Sequence, residues 1–332
     1  MFFTESKKHH PRAINFRKSE MFSWQTWILT VVAAMTIPLY IRILYVLIRY
    51  KHKYRFSSHF YTITISQGFI DVIGFVCYYT SVNMREIDAL KSFYWSLNWT
   101  IFVQWSYTQT YLFEYARILG VMMISIQRCL TVSFPHSRFN QTLIRLPAWS
   151  LFVFQCTVPI PFIANMFFLP MYFDSKATMN VVIDRHALEV HYLKAALIPL
   201  VASITCAVAY GNIINTIRKS TGQLRRRDIR LSIQAVGLLV ALLITCVHFC
   251  MQYTFNILKM TSQVYMMRLF TPLWVGMLTF INPWMILLMN QEVRRMTLGK
   301  HMSEDSSSVH PAVASQQFTR TATKKPTLYE KE

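Results

Sequence analysis

Seven long apolar runs constrain this chain of 332 residues more than any other feature of its sequence. A membrane-spanning helix needs about 20 mostly apolar residues, and within hydrocarbon every backbone N–H and C=O must be paired inside its own segment. Each run therefore predicts a helix, and the predicted fold class is an all-α integral membrane bundle of seven transmembrane helices. The expected spans are approximately 24–48, 57–82, 97–128, 146–170, 192–217, 231–258 and 266–290.

A soluble helical protein is the alternative to a membrane bundle. Its surface helices would need polar faces at helical period, and the fourth, sixth and seventh runs lack them. The net charge of +19 does not indicate nucleic-acid binding, because the basic residues lie in the loops between runs. At a membrane face they suit anionic lipid and acidic cytoplasmic partners.

The distribution of lysine and arginine predicts an N-terminus outside and a C-terminus in the cytoplasm, since cytoplasmic loops carry more positive charge. Sixteen such residues flank one side of the bundle and seven flank the other. The segment 1–23 is expected to be an extracellular basic leader, and its five basic residues raise the outer total to twelve. An inverted topology therefore stays open.

The segments after the last run are more polar. Residues 291–300 could form a short amphipathic helix on the inner leaflet, and residues 301–332 have the composition of a disordered cytoplasmic tail. The serines and threonines of the tail offer phosphorylation sites, to which an arrestin-like partner could bind. A glycosylation sequon at Asn98 lies on the expected outer side, but its closeness to the third helix argues against modification.

Ionisable residues inside apolar runs are costly in lipid and normally face the bundle interior in pairs. Asp71 lies midway along the second run, and Glu114 and Arg117 lie midway along the third. Their spacing of three places Glu114 and Arg117 on one helix face, where they could pair locally. Alternatively, Arg117 reaches Asp71 and leaves Glu114 facing a cavity. Either arrangement makes this cluster the polar centre of the bundle.

The sequence predicts no cofactor, metal site or enzymatic activity. The stretch CVHFC places Cys246 and Cys250 on one helix face and His248 roughly opposite, so one metal ion would not meet all three. The chain contains no G-x-S-x-G elbow and no phosphate-binding loop. All six cysteines lie in or beside the apolar runs, so no disulfide between outer loops is expected.

Several motifs in matching helices resemble the rhodopsin-like G-protein-coupled receptors. Arg128 and Pro135 match the family's helix-three arginine and the proline seven residues later, although Gln127 and Cys129 replace the flanking acid and tyrosine. Asn282-Pro283 resembles the helix-seven Asn-Pro-x-x-Tyr, with Ile286 in place of the tyrosine. Further matches are Asp71 in helix two, Trp149, Pro159 and Pro161 in helix four, and Pro199 in helix five. The Cys-Trp-x-Pro motif of helix six is absent.

Within that family, residues 37–72 and 225–244 resemble the nematode serpentine chemoreceptors of class V, in the Srg group. The resemblance covers about residues 24–295. It implies a multi-pass chemosensory receptor of the cell membrane that binds a small-molecule ligand and activates a heterotrimeric G protein. Arg117 falls where the family has a small polar residue beside the helix-two aspartate, so a built-in cation would replace the family's sodium ion.

The resemblance also assigns roles to residues. In the outer half of the bundle, the expected ligand-binding residues are Tyr78, Tyr79, Trp105, Tyr107, Tyr111, Glu114, His248, Gln252, Tyr253 and Trp274. The expected switch comprises Asp71, Arg117, Asn282 and Pro283, and the expected G-protein contacts are Arg128, Pro135, Arg225, Arg226, Arg227 and Asp228. Asp228 could hold Arg128 at rest or pair with the arginines beside it.

An ion channel or transporter with inverted topology is the alternative function. It would use the intramembrane Asp71, Glu114 and Arg117 as an ion path. The odd helix count and the lack of an inverted repeat disfavour it.

Overall fold

A computed structural model describes residues 24–50, 59–219 and 223–299. The side chains of residues 59, 144, 145, 148 and 223–235 are outside this description. The basic leader, the loop after the first span and the tail from residue 300 also lie outside it.

Seven helical segments of the described part are long and apolar enough to cross a membrane, which confirms the predicted fold class. The first three spans are α1 (Trp24–Arg49), α2 (His59–Tyr78) and α4 (Ile101–Ser133), with α3 (Asp88–Ser96) between the second and third. The fourth consists of α6 (Ala148–Thr157) and α7 (Ile160–Ile163), after the loop helix α5 (Arg138–Arg145). The fifth to seventh are α8 (Arg185–Lys219), α9 (Gln223–Ile257) and the pair α10 (Thr261–Leu269) and α11 (Thr271–Met289), followed by α12 (Gln291–Thr297).

Three spans deviate from regular α-helix near one end of the bundle. After α2, the chain winds into a π turn over Tyr79–Asn83 and a 3₁₀ turn over Met84–Glu86. Pro159 and Pro161 interrupt the fourth span, because proline removes a backbone donor and clashes with the preceding turn. The seventh span breaks at Phe270, and Pro272 lies in the first turn of α11. These irregular segments shape the end of the bundle that holds the site.

A two-stranded antiparallel hairpin closes that end. Its strands are β1 (Tyr172–Phe173) and β2 (Val181–Val182), and they connect the fourth and fifth spans. We call this side the hairpin end, and the opposite side, where α4 finishes beyond Arg128, the Arg128 end. The expected amphipathic segment contains α12, which lies at the Arg128 end.

The hairpin is attached to the turn between α3 and α4. The Asn98 side-chain Oδ1 accepts from the Phe173 N–H at 2.8 Å, and its Nδ2 donates to the Phe173 carbonyl at 3.4 Å. Beside it, the Trp99 ring stacks on Tyr172 with centroids 4.4 Å apart. Trp99 adopts φ of 63°, which is uncommon for a bulky residue and holds the ring toward the hairpin.

The interior is packed chiefly between α4, α8 and α9, around Tyr115, Ile118, Cys206, Ile213 and Leu242. Many large apolar side chains elsewhere are exposed on the bundle surface, as a lipid-facing surface requires. Trp149, which resembles the helix-four tryptophan of the rhodopsin-like receptors, is 68% exposed and belongs to this surface.

Candidate ligand-binding site and buried charge network

A cavity of about 630 Å³ opens at the hairpin end of the bundle. This volume falls within the range of small-molecule sites. Four spans, the second, third, sixth and seventh, supply its wall, Tyr192 of the fifth contributes one ring, and the hairpin covers it. On α4 its lining residues run from Ser106 to Glu114, and a rise of 1.5 Å per residue makes it roughly 12 Å deep along that helix.

Seven of the ten expected ligand-binding residues line this cavity. They are Tyr78, Tyr107, Tyr111, Glu114, His248, Gln252 and Trp274. The second and sixth spans run toward the hairpin end, and the third and seventh run away from it. Among the expected residues, those deepest in the cavity are therefore Tyr78, Glu114, His248 and Trp274, which form its floor. Whether these side chains bind a ligand stays a prediction.

The other three expected residues lie away from the cavity wall. Tyr79 faces α1, where its hydroxyl lies 3.3 Å from Thr30 Oγ1. Trp105 is 37% exposed and stacks on Phe167, so it points out of the bundle. Tyr253 packs against the cluster formed by Ala195, Ala196 and Phe249. Each is aromatic and close to the cavity in sequence, but helical rotation turns it to another face.

Six buried polar atoms on residues of the cavity wall have no hydrogen-bond partner among the described residues. They are Asn83 Nδ2, Ser106 Oγ, Glu114 Oε2, His248 Nδ1, Gln252 Oε1 and Trp274 Nε1. Buried polar atoms are normally hydrogen-bonded, and leaving one unsatisfied costs about 1–3 kcal/mol. All six belong to side chains that line the same cavity, which indicates a site for a polar guest, whether ligand or water.

The tautomer of His248 follows from its contact with Gln252. The Gln252 Nε2 amide lies 3.1 Å from His248 Nε2 and can only donate, so this ring nitrogen accepts. In the neutral ring the proton is then on Nδ1, which has no hydrogen-bond partner among the described residues. Trp274 lies beside it, with ring centroids 5.5 Å apart, and supplies a second N–H.

The buried charges form one triad below the cavity. Arg117 Nε donates to Asp71 Oδ1 at 3.2 Å, and Arg117 Nη1 lies 3.6 Å from Glu114 Oε2. Asp71, Arg117 and Glu114 are 0%, 2% and 3% exposed. The guanidinium thus contacts both carboxylates. It hydrogen-bonds Asp71 and forms a longer ion pair with Glu114, which lines the cavity.

The triad continues into a hydrogen-bond network across the bundle. Tyr40 donates to Asp71 Oδ2 at 2.6 Å and accepts from Asn282 Nδ2 at 3.0 Å. Gln67 donates to Asp71 Oδ1 at 3.0 Å. Asp71 is thus held by the first, second and third spans directly, and by the seventh through Tyr40.

The fourth span joins the network through Gln155. Its Nε2 donates to Gln67 Oε1 at 2.6 Å, and its Oε1 accepts from Ser66 at 2.7 Å. Gly120 allows this approach, because a Cβ there would lie 1.7 Å from Gln67 Oε1 and 2.2 Å from Gln155 Nε2. Small residues let helices and their polar side chains approach closely in membranes.

At the Arg128 end, the guanidinium of Arg128 lies over the Phe60 ring, 3.6 Å from its centroid. Pro135 follows the end of α4, and its carbonyl accepts from Asn140 Nδ2 at 3.0 Å. The side chains of Arg225, Arg226, Arg227 and Asp228 lie outside the described residues. Whether Asp228 holds Arg128 or pairs with the arginines beside it therefore stays open.

Sequence reasoning missed several polar residues of this site. Tyr40, Gln67 and Gln155 belong to the network, and Asn83, Ser106, Tyr192 and Arg268 line the cavity. An amide or hydroxyl within an apolar run could have indicated them, since such groups form hydrogen bonds between helices in membranes. That signal is weaker than a charge, because neutral polar residues are tolerated at many positions of a span.

The fold and the site define a class: a multi-pass membrane protein with a cavity at one end and a polar network at its centre. A family model described as serpentine type 7TM GPCR chemoreceptor Srv matches residues 29–301. The chain belongs to this family and is a chemoreceptor of the seven-transmembrane G-protein-coupled receptor type. The description of the family model names Srv and does not mention the Srg group that the sequence resemblance suggested. No curated protein matches the sequence.

Proposed function

We propose that this chemosensory receptor binds a small molecule in the cavity at the hairpin end and activates a heterotrimeric G protein at the Arg128 end. The observation that carries the proposal is one cavity lined by six side chains that each have an unsatisfied polar atom, with Glu114 on its floor. Glu114 is also part of the triad, so a ligand on the floor touches the network directly.

The network offers a route from ligand to G protein. Ligands act by preferring one of two packings and shifting the population toward it. A guest that attracts Glu114 would weaken its pairing with Arg117, on which Asp71, Tyr40 and Asn282 depend in turn. In this proposal the N-terminus is outside, and Arg128 together with the basic start of α9 meets the G protein.

The test is a cell-based screen of small molecules with a G-protein reporter, followed by an arginine substitution. Arg128→Ala should abolish the G-protein response while leaving ligand binding within about threefold, because Arg128 lies at the end away from the cavity. Arg138→Ala is the matched control, since Arg138 is an exposed arginine on α5 and should respond normally.

The channel alternative predicts a different result. A ligand-evoked current that persists when G proteins are blocked with a non-hydrolysable GDP analogue would contradict the proposal. So would an undiminished G-protein response in the Arg128→Ala receptor.

A further inference from the structure

The charges of the triad do not balance within the bundle. Two carboxylates, Asp71 and Glu114, face one guanidinium, Arg117, and all three side chains are almost fully enclosed. A buried charge without a counter-charge is costly in a low-dielectric interior. One proton or one cation is needed to complete the site.

Glu114 is the carboxylate that can receive this partner. Asp71 accepts hydrogen bonds from Tyr40, Gln67 and Arg117, so both its oxygens are occupied. Glu114 Oε2 has only the 3.6 Å ion pair with Arg117, which is too long for a hydrogen bond. Glu114 also lines the cavity floor. Of the two carboxylates, Glu114 is therefore the one that a group in the cavity with a positive charge and N–H donors can reach.

The rest of the floor suits the same group. Tyr78 and Trp274 lie on the cavity floor with Glu114, and Tyr111 lines the wall one turn nearer the hairpin end on α4. Aromatic faces attract ammonium groups, most strongly where water is excluded. A carboxylate among aromatic rings is therefore a better site for an ammonium than for a neutral alcohol or an acid.

The rim of the cavity has the opposite charge. Arg85, Lys91 and Arg268 line it against a single acid, Glu86. Lys91 pairs with Asp88 at 2.6 Å, and Arg268 donates to the Tyr192 hydroxyl at 2.9 Å. Because the rim is more exposed than the floor, water and salt weaken its charges. Its excess of cations still disfavours a second ammonium at the outer end of a ligand.

We infer that the ligand is a small monoamine, whose protonated nitrogen pairs with Glu114 on the cavity floor and whose other end is neutral or anionic. This inference rests on the proposed ligand-binding role of the cavity. It assigns the chemistry of the ligand, which the family does not specify.

The experiment measures binding separately from signalling. The full-length receptor in lipid nanodiscs is tested for a ligand-induced rise in melting temperature, since a ligand that binds the folded state stabilises it. The probes are a set of aliphatic and aromatic monoamines, each accompanied by its alcohol, its carboxylic acid and its diamine. We expect stabilisation by monoamines alone.

Substitutions then place the amine. Glu114→Gln should weaken amine binding on the order of 30-fold, because it removes the buried partner of a desolvated charge. Glu114→Asp, which keeps the charge on a shorter side chain, should retain most of the binding. Glu292→Gln is the matched control, because the same change at an exposed glutamate on α12, at the Arg128 end and away from the cavity, should shift binding by less than about threefold.

Three results would overturn the inference. They are stabilisation by an alcohol or acid in preference to its amine, unchanged amine binding in Glu114→Gln when that variant folds, and no stabilisation by any amine. Preference for the alcohol or the acid would mean that a proton, and not a ligand amine, balances the excess negative charge of the triad. If amines bind as expected but no G-protein response follows, the inference stands and the proposed signalling function fails.

Discussion

At the scale of single residues, the centre of this receptor depends on a glycine and two amides as much as on its charges. Gln67 and Gln155 connect the second and fourth spans at 2.6 Å, directly over Gly120 of the third span. Any side chain at position 120 would occupy the space of that hydrogen bond. Because Gln67 also binds Asp71, the glycine indirectly positions the triad.

Gly120→Ala should therefore destabilise the receptor by about 2 kcal/mol or more, through overpacking and a broken buried hydrogen bond. The measurement is the melting temperature of the purified receptor. Gly211→Ala is the matched control, because a Cβ at Gly211 meets no atom within 4 Å and alanine favours the helix. Equal melting temperatures for the two variants would contradict the packing described for Gly120.

The sequence predicted the charged residues of the centre but not their neutral partners. Asp71, Glu114 and Arg117 could be identified because a charge in a span needs a partner. Their mutual geometry could not, since it depends on the rotation of α2 against α4. Gln67, Gln155 and Tyr40 were not predicted, because a single amide or hydroxyl in a span is common. Only the packing of the bundle brings the three side chains together. Similarly, helical rotation alone separates Tyr78 from Tyr79 at the cavity.

At the scale of elements, the spans follow from apolar length, whereas their ends and the hairpin do not. The fifth helix begins at Arg185, several residues before the expected start at 192, because its first turns extend beyond the apolar run. Two strands of two residues each leave no alternation pattern that a sequence could reveal. Their position over the cavity depends on the turn at Asn98 and Trp99.

The Asn98 amide should limit the opening of the hairpin. Asn98→Ala removes both hydrogen bonds to Phe173, so amide hydrogen exchange in residues 172–182 should accelerate by about tenfold, as expected for a loss of about 1.4 kcal/mol. Exchange measured by mass spectrometry, segment by segment, tests this.

Asn98→Asp is the conservative comparison, because a carboxylate still accepts from the Phe173 N–H but cannot donate to its carbonyl. Its exchange should fall between the wild type and the alanine variant. Unchanged exchange in both variants would show that the Trp99–Tyr172 stack holds the hairpin without the amide.

At the scale of the whole molecule, a network that includes five of the seven spans lies between a cavity at one end and Arg128 at the other. Tyr40, Asp71, Arg117, Gln155 and Asn282 represent the first, second, third, fourth and seventh spans in it. The fifth and sixth spans pack on the third through apolar side chains, and the fifth also hydrogen-bonds to it through Tyr210 with Ser125 and Thr216 with Ser133. Among the residues described, neither span hydrogen-bonds to Asp71, Glu114 or Arg117.

Orientation in the membrane decides whether this arrangement can signal. With the N-terminus outside, an epitope tag before Phe2 should be stained in intact cells. A tag after Glu332 should be stained only after permeabilisation. The positive charge of the loops at the Arg128 end is the physical reason. The reverse staining pattern would place Arg128 outside the cell and exclude a cytoplasmic G-protein contact there.

The attachment of the hairpin has a consequence for where the receptor can mature. All six cysteines are free, so no covalent bridge holds the hairpin over the cavity. It is held instead by the Asn98 hydrogen bonds, the Trp99–Tyr172 stack and the apolar packing of Met171, Phe173 and Met179. Its assembly needs no oxidant and no disulfide isomerase, and a thiol reductant has no bond to cleave.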